Sequence, residues 1–177
     1  DIGNDILSEL VYAARVSLFA GLGAGILASG IGLILGLIAG YARGLPDELI
    51  SGLSDVFLMI PKLPLLIVLQ AFLNPGITRT TLILGLLLWP QTARVVRAKT
   101  LQVRESPFVA AARALGFSGS KILFSDILPH VRSIWFSKFM LAASSGLLAE
   151  ASVSFLGLGD PGVKSWGMML NYAFKKG

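Results

Sequence analysis

Val16 to Ala42 runs for 27 residues without one charged side chain. At 1.5 Å per residue, a helix of that length outreaches a hydrocarbon core of about 30 Å. In lipid such a helix satisfies its own backbone and its side chains need no cover. This run sets the class of the whole chain, and composition agrees with it. Of 177 residues, 54% are hydrophobic and 14% charged, against about 25% charged in soluble domains. The expected fold is all-α, a polytopic bundle of transmembrane helices.

Three further spans follow. Leu49 to Leu73 is interrupted by Pro61-Lys62-Leu63-Pro64; each proline removes a helical hydrogen bond, so a kink or break is expected there. Thr78 to Arg94 is the third span, charge-free over the fourteen residues from Thr80 to Ala93, with Arg79 and Arg94 expected to snorkel to opposite interfaces. Ser133 to Phe155 is the fourth. Before the first span, Ile6, Leu10 and Ala13 with Leu7, Val11 and Ala14 give Asp1 to Arg15 the pattern of an amphipathic interfacial helix. Asn74-Pro75-Gly76 reads as a turn and Leu156 to Gly162 as a loop. Trp166 opens a last interfacial segment, closed by Lys175 and Lys176.

Within the first span Gly32, Gly36 and Gly40 repeat at i+4, as do Gly21 and Gly25. That spacing lets helix backbones approach closely in lipid; glycine is also simply common in membrane helices. Two ionisable residues stand out as candidates for the translocation path or its gating, Lys62 inside the interrupted span and Glu150 at the end of the fourth charge-free run. For Lys62 the competing reading is a snorkelling stem or a protein–protein contact.

The net charge is +5, and its position carries the information. From Arg94 to Lys121 six basic residues face Glu105 alone, while the remaining nine basic and nine acidic residues cancel. The whole excess lies in one loop between spans, which the positive-inside rule places in the cytoplasm. Counting crossings back from there puts residues 1–14 on the extracytoplasmic side. A chain that starts outside needs an earlier crossing, so a longer membrane protein is expected, of which this chain lacks the first and last spans. Flanking spans and the lack of interleaved aromatics argue against nucleic acid. With no cysteine and a single histidine, His130, neither disulfides nor a zinc site are expected, and no other cofactor is.

The cytoplasmic loop has its own grammar. Ser106-Pro107 reads as an N-cap and first helical residue, and Gly116 as a left-handed stop. Between them Phe108, Ala111, Ala112 and Leu115 form one apolar face. Ser118 caps a second short helix through Ile122, Leu123 and Phe124, and Pro129 closes the stretch. The first helix is too short to stand alone in water, and its alanine-rich surface suits a shallow groove on another protein. An amphipathic helix resting on anionic lipid is the alternative.

Ala110-Ala111-Ala112-Arg113-Ala114-Leu115-Gly116, nine residues, then Asp126-Ile127-Leu128-Pro129 resembles the cytoplasmic "EAA" loop of prokaryotic ABC importer permeases. The family's glutamate stands here as Ala110, and Asp126 stands where histidine is common. Asp5-Ile6-Leu7-Ser8 with Tyr12 to Leu18, and Glu150 to Gly159 followed by Ser165-Trp166-Gly167, resemble the "C"-type subunit of the dipeptide, oligopeptide and nickel branch. The resemblance covers nearly the whole chain. It implies one transmembrane permease domain over residues 1–177, of the type I importer core, with 103–129 as a coupling loop in the prokaryotic inner membrane. It also implies two ATPase subunits, a second homologous permease and an extracytoplasmic solute-binding protein. Phe108, Ala110, Ala111, Ala112, Arg113, Leu115, Gly116, Leu128 and Pro129 would then carry the coupling, with Arg113 directed at acidic ATPase residues or lipid phosphates. Peptides come first as the solute, then nickel or another chelated metal, then oligosaccharides. The chain has no phosphate-cradling glycine loop and no catalytic constellation, so an enzyme is not expected. An ATPase-independent channel or membrane scaffold is the other class.

Overall fold

In the computed structural model, which describes residues 5–73 and 76–176, the chain is built of helices, and no strand occurs among the described residues. The expected turn at Asn74-Pro75 lies outside them.

Helix α1 runs unbroken from Ile6 to Ala42, about 55 Å at helical rise. The expected separate interfacial helix before Arg15 is therefore not present. Ile6, Leu7, Leu10 and Val11 are exposed as the amphipathic pattern predicts, but no proline or glycine interrupts the chain between Asp5 and Ala20. With nothing to break the hydrogen-bond ladder, the amphipathic part continues into the apolar part. The most apolar stretch of α1 has a mean hydropathy of 2.2, and among the described residues α1 alone is long and apolar enough to cross a membrane as one helix.

The second expected span is two helices, α2 from Leu45 to Met59 and α3 from Lys62 to Phe72. At about 22 Å and 16 Å neither crosses a bilayer by itself; together they are long and apolar enough to count as one broken span. The break falls at Ile60, which is extended (φ −76°, ψ 125°) because the following proline disfavours helical backbone. Pro64 does not contribute to it. It occupies the first turn of α3, where the amide has no helical partner to lose.

Helix α4 covers Ile77 to Arg104 and carries Pro90 inside without ending. Past a single turn, α5 (Pro107–Ala114), α6 (Gly119–Lys121) and a π-helical stretch (Ile122–Ile127) lead directly into α7 (Leu128–Phe155). Pro129 thus opens a long helix rather than closing the loop. The π turn before it supplies the reason. A proline ring clashes with the carbonyl four residues earlier in an α-helix, and the wider i→i+5 spacing, seen in the bond from Leu128 N–H to Leu123 O, moves that carbonyl aside. After α7 a loop leads to α8, Trp166 to Lys176.

The chain forms two compact units, each drawing on α1, α4 and α7. One comprises the described residues of 1–27, 61–88 and 141–177. In it Gly21 and Gly25 lie so close to α7 that a Cβ on either would meet Leu147 or Ala143 within 3 Å. Trp166 is pinned through its backbone N–H to Ser17 Oγ (3.0 Å) and through Nε1 to Leu10 O (3.1 Å). Gly157, at φ +83°, ends α7 with Leu158 N–H bonded to Val153 O and Gly157 N–H to Ser154 O, the two bonds of a Schellman stop.

The other unit comprises Ala28–Ile60 and Trp89–Met140. Here Gly32, Gly36 and Gly40 abut α4: a Cβ on each would lie 2.6 Å from Thr92 Cβ, Ala93 O and Thr100 Cβ respectively. Arg94 and Asp55 form an ion pair. Arg97 grips Asp47 through two bonds, one of 2.6 Å, which joins the first turn of α2 to α4. Asp55, Arg94 and Arg97 edge a cleft of about 280 Å³ beside Ser51 and Ser54. Trp135 Nε1 donates to Ser29 O at 3.0 Å, fixing α7 against α1.

Candidate functional site

The stretch from Glu105 to Pro129 lies wholly in the second unit. Ser106 occupies the N-cap position of α5 with extended backbone, but its hydroxyl donates back to Val103 O instead of capping an amide. Its carbonyl accepts from Val109 and Ala110 N–H. At the far end Gly116 has φ +78°. Phe117 N–H bonds to Ala112 O (3.1 Å) and Gly116 N–H to Arg113 O (2.9 Å), again the Schellman pair. Ser118 Oγ then accepts from Lys121 N–H, as an N-cap should.

Beneath α5 is a core of Leu37, Val96, Val103, Val109, Ala112, Ile122, Ile127 and Val131. The face that α5 buries is therefore Val109 with Ala112, not the whole of Phe108, Ala111, Ala112 and Leu115. Ala112 points into its own protein, while Phe108, Ala110, Ala111, Arg113, Leu115 and Gly116 are exposed. Leu115, a large apolar side chain, leaves 74% of its surface uncovered. Phe108 is held by a stack on His130, ring centroids 5.0 Å apart, and His130 Nδ1–H donates to Asp126 O at 2.7 Å. Leu128 is half-buried and Pro129 exposed, at the start of α7.

Charged groups frame this helix. Arg43, left-handed at φ 57° just past α1, pairs with Glu105. Arg104 Nη1 donates to Tyr41 O at 2.7 Å, while its Nε is shut away from solvent with no acceptor. Arg104 and Arg113 both approach the Tyr41 ring, at 5.7 and 6.0 Å from its centroid. Burial first, then the neighbouring charges of Arg43 and Arg113, hold the Arg104 guanidinium below its usual basicity. Sequence reasoning passed over Tyr41, Arg43 and Arg104. The only signal was the Tyr-Ala-Arg-Gly run that ends the first apolar stretch.

The two path candidates and the glycine stripe lie elsewhere. Lys62 is the half-buried first residue of α3, and no carboxylate pairs with it among the described residues. Glu150, in α7, is only 2% exposed. Its Oε1 accepts from Ser154 Oγ at 2.7 Å and its Oε2 has no partner. Gly32, Gly36 and Gly40 face α4 as described above. Among the described residues no cluster of side chains fit to hold a metal occurs.

Among the described residues, a long apolar helix, a broken helical pair and a short exposed helix set between long ones define an all-α chain in which one helix, or two with the bent pair, is long and apolar enough to cross a membrane. Residues 32–174 match the family described as the inner membrane component of binding-protein-dependent transport systems, and the chain belongs to that family. It is 33% identical over 170 residues to the oligopeptide transport system permease protein OppC of Bacillus subtilis, covering 96% of this chain and 56% of that one. It is 34% identical over 174 residues to the dipeptide transport system permease protein DppC of Haemophilus influenzae (98% and 59%). To the glutathione transport system permease protein GsiD of Pectobacterium atrosepticum it is 35% identical over 173 residues (97% and 58%). The chain thus spans just over half the length of these relatives.

Proposed function

We propose that residues 1–177 are the transmembrane permease part of an ATP-driven importer, and that 103–129 couples it to ATPase subunits. In this reading residues 94–128 face the cytoplasm and 1–14 the outside. Two ATPase subunits, a second homologous permease and an extracytoplasmic binding protein complete the machine. ATP is hydrolysed in the partners, since this chain carries no phosphate-cradling loop.

The observation that carries the reading is the orientation of α5. It is clamped on one face by Val109 and Ala112, stopped by Gly116, and presents Phe108, Ala110, Ala111 and Leu115 outward. Exposed apolar side chains beside alanines on a rigidly seated helix are what a partner's groove takes up. Ala112, Gly116, Leu128 and Pro129 hold the helix from within and at its ends. Because α6, the π turn and α7 follow with only a short turn between, displacement of α5 passes directly to a long helix. Lys62 and Glu150 are assigned to the path or its gating.

The solute we infer is a short peptide, on the names that the relatives carry; nothing in those three names points to nickel or an oligosaccharide. Copurification tests the assembly. The full-length permease should bring down ATPase subunits and lose them when Ala111 becomes Trp, with insertion into the membrane unchanged. A permease that works as a channel or scaffold without an ATPase would bring down none, whatever residue stands at 111.

A further inference from the structure

Three cations gather at the end of α1 with one carboxylate among them. Arg43 is paired with Glu105. Arg104 spends one N–H on the Tyr41 carbonyl, which also neutralises the negative end of α1. Arg113 has no ion-pair partner among the described residues, and it shares the Tyr41 ring with Arg104. Two guanidinium groups held near one aromatic ring repel each other, and Glu105, the one carboxylate close by, is already paired with Arg43. The unanswered Nε of Arg104 adds a second cost, because buried donors are nearly always satisfied. Gly119 lies beside the Tyr41 hydroxyl, where an added Cβ would sit 3.0 Å from the oxygen, so the phenol is packed against the start of α6. This brings α1, α4, α5 and α6 together around one point of unneutralised positive charge.

We propose that Arg104 and Arg113, set around Tyr41, hold the phosphate of an anionic lipid headgroup, so that the inner side of the coupling helix is fastened to the membrane surface while its outer side stays open. The proposal rests on the reading that this end of the helices lies at the cytoplasmic face. Planar guanidinium groups suit a phosphate diester better than ammonium groups do, and basic pockets between helices at that face are typical headgroup sites. The site lies at the end of α1 where its charge-free run, Val16 to Ala42, stops, which in this reading is where the headgroup layer begins. Lys121 is not part of it; its ammonium rests over the Phe117 ring at 3.8 Å.

The test uses the full-length permease with its companion subunits in nanodiscs of phosphatidylcholine, with or without phosphatidylglycerol. Native mass spectrometry reads the phosphatidylglycerol retained after detergent exchange. The wild type should retain it, and Arg104→Gln with Arg113→Gln should lower retention at least about tenfold. Arg113→Gln alone, at an exposed position, should lower it without disturbing the fold. Lys121→Gln, removing the same charge nearby, should leave it unchanged, and added inorganic phosphate should not displace the lipid. Equal retention in wild type and double variant would overturn the proposal. So would displacement by inorganic phosphate, which would make this a free-phosphate site. Loss of the ATPase subunits from the double variant in both lipid compositions, with retention unaltered, would assign the arginines to an acidic protein surface instead. Lipid is read on the permease itself. A wild type that keeps phosphatidylglycerol but never binds an ATPase therefore defeats the functional reading and leaves this one standing.

Discussion

Gly116 is where a single residue matters most. Its φ of +78° is required by both bonds that end α5, and a β-carbon in that conformation costs about 1–2 kcal/mol. No neighbour crowds the position, so the cost is purely conformational. Gly116→Val should therefore leave the protein in the membrane but shift the end of α5, uncoupling ATP hydrolysis from uptake in reconstituted vesicles. Gly116→Asn, which tolerates the left-handed region, should retain coupling; unchanged uptake in the valine variant would remove Gly116 from the mechanism. The Asp47–Arg97 pair acts at the same scale. Two hydrogen bonds from Arg97 hold the Asp47 carboxylate and tie α2 to α4. Asp47→Asn should lose about 1–3 kcal/mol. Thermal unfolding in detergent should detect it, and an unchanged melting temperature would contradict the assignment.

At the scale of elements, the glycines of α1 divide their work. Gly21 and Gly25 receive α7 within one unit, and Gly32, Gly36 and Gly40 receive α4 within the other. Gly36→Ala would drive a methyl to 2.6 Å from Ala93 O, which is backbone and cannot rotate away; overpacking of this kind costs about 1–3 kcal/mol. Gly30→Ala meets nothing within 4 Å and should be neutral or slightly stabilising. Equal melting temperatures for the two variants would refute the close-packed stripe. These glycines were legible because i+4 spacing is geometry. So were the caps of α5 and the break at Pro61, which follow from local backbone limits. The seat of α5 was not. Val109 is buried because it shares a core with Leu37, Val96 and Ile127 from distant parts of the chain, and the apolar pattern of Phe108, Ala111, Ala112 and Leu115 gave no hint that Ala112 faces inward while the other three are exposed. Pro129 misled for a related reason. Proline is a stop only where the preceding turn is α-helical, and the π turn at Ile122–Ile127 has no sequence mark. Arg94 joined Asp55 across 39 residues, a contact that no local rule anticipates.

At the scale of the whole molecule, family membership fixes the setting, an inner-membrane component of a transport system, and the chain covers just over half the length of the relatives above. What the residues add is a short helix locked below, bare above and followed directly by a long helix, the arrangement on which the proposed coupling to a motor rests. The 177 residues contain no cysteine, so a single one can be placed at Ala111 without competition from this part of the chain. The decisive measurement is labelling of Ala111→Cys in the full-length protein with a membrane-impermeant maleimide, followed by cross-linking to the ATPase subunit. Labelling is expected in inverted vesicles but not in intact cells, with protection when the ATPase is bound and a cross-linked permease–ATPase pair. Labelling from the outside of intact cells, or none from either side, would contradict it.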